Sequence, residues 1–82
     1  MEKYNGWKNR QTWNVALWIQ NDEPLYRMAV SYMKQHPTSK RPYAGFIRES
    51  GLEYDRTPDN IAYKSTRISY PELNSMMREL IS

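Results

Sequence analysis

The stretch Asn9–Asp22, NRQTWNVALWIQND, sets two tryptophans and four further apolar side chains between polar ends. Asn9 has a side-chain oxygen suited to an exposed backbone N–H of a first helical turn, and Asn21 with Asp22 marks a stop, so one short helix is predicted. At about 100° per residue, Trp13, Val15, Ala16, Leu17, Trp18 and Ile19 point almost all the way round its axis. Only a narrow polar stripe near Asn14 and Gln20 remains. A helix apolar on nearly every side is expected to be the buried, central one.

Working outward, Asn21-Asp22-Glu23-Pro24 announces a second helix. It offers a cap, carboxylates suited to the helix dipole and a proline in the first turn. Leu25, Met28, Ala29, Tyr32 and Met33 follow at i, i+3, i+4, i+7 and i+8, an apolar stripe, and Pro37 ends it. Pro42 opens a shorter third helix through Tyr43, Phe46 and Ile47, with Gly51 as its left-handed C-terminal cap. Between Leu52 and Arg67 the periodicity fades. Thr57-Pro58-Asp59-Asn60 has turn composition and Ile61-Ala62-Tyr63 suits a short extended piece. Ser69-Tyr70-Pro71-Glu72 is a capping box before a last stripe of Leu73, Met76, Met77, Leu80 and Ile81. The expected fold is mainly α: one small domain over 1–82, a compact bundle of about four short helices with an irregular loop before the last.

Composition narrows the chemistry. With 82 residues the core is small, and the absence of cysteine excludes disulfides, thiolate zinc sites and a cysteine nucleophile. Three tryptophans, seven tyrosines and one phenylalanine are expected to supply much of the packing. The first residues lack the apolar run of a secretory signal, and no window nears the roughly 18 apolar residues of a membrane span, so a cytosolic, non-membrane protein is expected. Twelve Lys and Arg against nine Asp and Glu give a net charge of +3, compatible with nucleic acid or acidic proteins as partners without demanding either.

Catalytic patterns are absent. His36, the single histidine, precedes a proline at a helix end and fits a cap better than a general base. The carboxylates show no metal-ligand spacing, and Gly6, Gly45 and Gly51 form no phosphate loop. No catalytic residue, metal or cofactor is therefore assigned, and a non-enzymatic binding module is expected.

Two sets of residues stand out for binding. Trp7 and Tyr26 lie outside the core stripes and suit interface anchors. Asn14, a polar break in an apolar helix, must either find partners within the fold or face a partner molecule. The second set is cationic: Arg27, Lys34, Lys40, Arg41 and Arg48, with His36, Tyr43 and Phe46 interleaved, a mixture of cations and rings suited to nucleic acid. Against this, cations on the polar side of an amphipathic helix are ordinarily just solvated, and Trp7 could instead fold back on the first helix. A homodimer is one way to cover a helix apolar on every side.

The segment YNGWKNRQTWNVALWIQNDEPLY resembles the opening of a family of short, uncharacterised proteins encoded mainly by bacteriophages, cyanophages included. Its typical Gly-Trp, Asn-x-x-Thr-Trp-Asn-Val-x-Leu-Trp and Asn-Asp elements correspond to Gly6-Trp7, Asn9 with Thr12-Trp13-Asn14-Val15, Leu17-Trp18 and Asn21-Asp22. RTPDN around Pro58 and PELNSMMREL around Leu73 are similar to its second half. The resemblance implies a small phage accessory protein that binds and modulates a host or phage protein inside the infected cell. It brings no catalytic residue or cofactor with it.

Overall fold

Asn9 caps the first helix as its side chain suggests, Oδ1 accepting from the Thr12 N–H at 2.9 Å. In the computed structural model, which describes residues 4–82, α1 spans Arg10–Asn21, α2 Glu23–Gln35, α3 Pro42–Glu49 and α4 Tyr70–Glu79. No strand occurs among the described residues. Asp22 ends α1 and starts α2 in one residue. Its backbone N–H bonds the Trp18 carbonyl while its carboxylate accepts from the Leu25 N–H. With Glu23 and Pro24 in the first turn and His36 at the C-cap, α2 begins and ends where its sequence dictates.

α3 ends in a Schellman turn. Gly51 lies at φ +78°, the Leu52 N–H bonds the Ile47 carbonyl at 2.8 Å and the Gly51 N–H bonds that of Arg48. Its start is less conventional. The Arg41 side chain makes no capping hydrogen bond, and Asn74 of α4 reaches across to accept from the Tyr43 N–H at 3.0 Å. The loop from Leu52 contains the expected turn, with the Asn60 N–H on the Thr57 carbonyl, and an isolated bridge between Arg56 and Ala62 where an extended piece was expected.

The core is built from Val15, Ala16 and Ile19 of α1, Ala29 and Met33 of α2, Tyr43, Phe46 and Ile47 of α3, and Leu73, Met76 and Met77 of α4, with Tyr63 and Ile68 of the loop. The radius of gyration, 11.7 Å, matches the roughly 12 Å of a compact chain of this length. Tyr43 is fully buried and donates its hydroxyl to the Tyr63 carbonyl. Burial, with Tyr70 and Tyr63 nearby, drives its pKa far above the ordinary tyrosine value.

Four expectations need correction. α1 is not the central helix: α2 and α4 each pack on all three others, whereas α1 and α3 do not meet. Trp13, Leu17 and Trp18 are consequently only half-buried, with the Tyr4 ring tilted against Trp13 at 4.9 Å between ring centres. The polar stripe is also misplaced, because Asn14 and Thr12 lie inside the fold. On α2, Met28 is 39% exposed and leaves the core stripe. Finally, the capping box closes on one side only. The Ser69 oxygen accepts from the Glu72 N–H, but the Ser69 N–H goes to Thr12 Oγ1 at 2.9 Å and the Glu72 carboxylate to the Lys8 N–H at 2.8 Å. Tertiary partners displaced the local one.

Candidate functional site

Two polar networks tie α1 to distant parts of the chain. In the first, Asn9 Oδ1 accepts from the Thr12 hydroxyl at 2.7 Å, Thr12 accepts from the Ser69 N–H, and Asn9 Nδ2 donates to the Arg67 carbonyl at 2.6 Å. In the second, Thr57 donates to Asn14 Oδ1 at 2.7 Å, and Asn14 Nδ2 and the Trp18 indole N–H both donate to Asp59 Oδ2 at 2.8 Å. These two donors hold the Asp59 carboxyl below the usual aspartate range. Asn14, expected either to find partners within the fold or to face a partner molecule, has its amide oxygen and nitrogen engaged inside the fold and is 1% exposed. It belongs to the scaffold.

Trp7 is placed differently. Tyr4 and Trp7 exchange both backbone hydrogen bonds, at 2.7 and 2.8 Å, across Asn5 at φ +50° and Gly6 at φ +87°. Two successive left-handed residues joining a close antiparallel pair are the requirement of a type I′ turn, which Asn-Gly meets at little cost. The next residue, Lys8, is tied by its N–H to Glu72, so the turn is strapped across the start of α4. Trp7 is half-buried against the core, and its exposed part lines a groove of about 420 Å³.

The same groove is lined by Pro71, Glu72, Ser75, Met76 and Glu79 of α4 and by Gln20 of α1. Glu72 and Glu79 are two helical turns apart, about 10 Å along the axis. Among the described residues neither carboxylate takes part in an ion pair. In sequence Glu72 reads as a cap and Glu79 as one of several scattered carboxylates. Asn5-Gly6 was the available signal, because this dipeptide specifies a tight turn just before Trp7.

The cationic residues divide into separate places. Tyr26, Arg27 and Lys34 come together along the outer side of α2, where a shallow groove of about 310 Å³ also takes in Val30 and Ser31. Tyr26 is 41% exposed, and Arg27 pairs with Glu23 at 3.0 Å. Lys40 and Arg41 lie in the turn before α3, where Arg78 of α4 donates to the Lys40 carbonyl at 3.3 Å. Arg48 is exposed in the last turn of α3. Tyr43 and Phe46, the rings expected to interleave with these cations, are buried at 0% and 1% and cannot stack on bases.

His36 stacks on Tyr32 at 4.5 Å and sets Nε2 3.4 Å from the Glu49 carboxylate, beside an apolar groove of about 360 Å³ between α2 and α3 floored by Met28, Tyr32 and Phe46. Tyr54 is 87% exposed with the Lys64 ammonium 5.6 Å from its ring centre, a feature the sequence did not signal. No cluster of three or more metal-ligating side chains occurs among the described residues, and no described helix is long and apolar enough to cross a membrane.

The model of a family of unknown function, DUF7249, matches residues 1–82, and the chain belongs to that family. No curated protein and no solved structure matches it.

Proposed function

We propose that this member of the family is a non-enzymatic accessory module that binds another protein through the groove beside Trp7. The observation that carries the reading is the placement of that indole. It is half-buried, held by a type I′ turn and a strap to α4, and faces an open groove. A large, rigid, pre-positioned aromatic is the kind of side chain that dominates protein interfaces, because it brings contact area with little entropy to lose. The resemblance to short bacteriophage-encoded proteins supports a phage accessory role, in which the bound protein belongs to the host or the phage and is modulated by occupancy in the cytoplasm of the infected cell.

The test is a photo-crosslinking amino acid placed at Ser75, an exposed residue on the groove wall, compared with one at Ser31 on the outer side of α2. In lysate of the infected host, Ser75 is expected to yield a discrete protein adduct that excess unlabelled protein competes away. Adducts from Ser31 alone, or none from either position, would overturn the reading.

A further inference from the structure

The chemistry of the same groove indicates what it holds. The chain carries an excess of cations, yet among the described residues the groove is lined by two carboxylates and no Lys or Arg. The Glu72 carboxylate is fixed by the Lys8 N–H, which among the described residues leaves its second oxygen for another donor. Negative charge in the first turn of α4 is also what the helix dipole favours, so Glu72 has a structural reason to be there.

Glu79 has none. It is the last residue of α4, where an anion opposes the dipole, and no ion pair among the described residues compensates it. Arg78, its neighbour in sequence, is drawn away to the Lys40 carbonyl. Trp7 lines the same groove with an indole, a ring type that attracts cations, and the exposed Pro71 provides apolar surface for a methylene chain.

We infer that the groove takes the cationic side chain of a lysine or arginine on the partner protein, its aliphatic stem against Trp7 and Pro71 and its charged head towards Glu72 and Glu79. This rests on the reading of the groove as a protein-binding site and adds the chemistry of the occupant. The two carboxylates, about 10 Å apart on one helix face, have room to engage two cations of one basic segment.

The probe is an end-blocked tetralysine peptide, followed through the three indole N–H signals in a ¹⁵N–¹H spectrum, with Trp7→Phe used to assign one of them. Tetralysine is expected to shift the Trp7 signal saturably while the Trp13 and Trp18 signals hold. Glu79→Gln, which relieves an unfavourable helix-end charge and so leaves the fold intact, is expected to weaken binding roughly fivefold. Raising salt from about 50 to 500 mM is expected to weaken it further. Blocked tetraglutamine is expected to leave all three signals in place.

Three results would overturn the inference: a Trp7 signal unmoved by tetralysine, equal response to tetraglutamine, or unchanged affinity in Glu79→Gln. An adduct at Ser75 together with any of these would retain the groove as an interface and reject its cationic occupant. Absence of that adduct would remove the interface itself.

Discussion

Asn14 and Asp59, 45 positions apart, meet through a 2.8 Å hydrogen bond from the Asn14 amide to the Asp59 carboxylate. The bond joins the most distinctive segment of the chain to its least regular one. The same carboxylate oxygen accepts from Trp18, and Thr57 completes the set by donating to Asn14. What reads in sequence as an apolar helix with one polar flaw is a helix using that flaw to hold the loop in place.

The cross-tie carries a pH dependence. Donors from Asn14 and Trp18 lower the folded-state pKa of Asp59, so its contribution is fully present above the unfolded value near 4 and is lost as pH falls through the lower folded value. Thermal midpoints measured from pH 7 down to about pH 2 are expected to fall below about pH 4. Asp59→Asn is expected to start lower at pH 7 and to show a shallower fall. Parallel profiles for the two proteins would contradict the assignment.

Asn14 and Thr57 are both buried, and removing either leaves the other with an unmet polar group. Asn14→Ala and Thr57→Val are each expected to cost about 1–3 kcal/mol in urea unfolding. Because they share one hydrogen bond, the double variant is expected to lose less than the two single losses combined, by at least about 0.5 kcal/mol. Strict additivity would show that the pair is not coupled.

Gly45 lies where α3 meets the Tyr32 ring, and a Cβ there would collide with the tyrosine hydroxyl. Ala is the better helix former by about 1 kcal/mol, so the sign of Gly45→Ala decides between propensity and packing. Tyr32 is held between His36 and Phe46, which favours packing. A net loss of about 1–2 kcal/mol is expected, smaller in a Tyr32→Phe background. Stabilisation of the otherwise native protein by Gly45→Ala would show that the ring moves freely.

Gly6 has open space around it, but its φ of +87° strains any residue with a Cβ. Gly6→Ala is expected to cost about 1–2 kcal/mol locally, met by opening the peripheral turn rather than by unfolding the core. The expected readout is a red shift of Trp7 emission, isolated by difference against the same change in a Trp7→Phe protein, with the main melting transition nearly unmoved. Gly6→Asn, more tolerant of the left-handed region, is expected to shift it less. An unshifted Trp7 emission in Gly6→Ala would show that the turn does not position the indole.

The helices were legible because their signals are local. Asp22 with Pro24, Gly51 and Ser69 act within a few residues of themselves, and the structure uses each as a cap or stop. Which face of α1 is buried was not legible, since tryptophan and asparagine mislead in opposite directions. A large ring suggests the core but tolerates half-exposure at a helix surface, while a polar amide suggests solvent but is at home inside once its partners arrive. Those partners, Thr57 and Asp59, sit more than 40 positions away. The half-made capping box has the same origin, because Thr12 and Lys8 are remote in sequence and adjacent in space. Of the residues proposed to bind, Trp7 was visible as an aromatic without a stripe. Its carboxylate neighbour Glu79 was hidden, since only the fold brings the N-terminal turn against α4.

Asn14 and its partners fix the scaffold, and the groove lined by Trp7 is the proposed binding surface. The direct measurement of that division is the affinity of Trp7→Ala, shown by circular dichroism to be folded, for the protein crosslinked through Ser75. A loss of roughly tenfold or more, of the size expected when an interface anchor is truncated, is the predicted result. Affinity equal to that of the unaltered chain would contradict it.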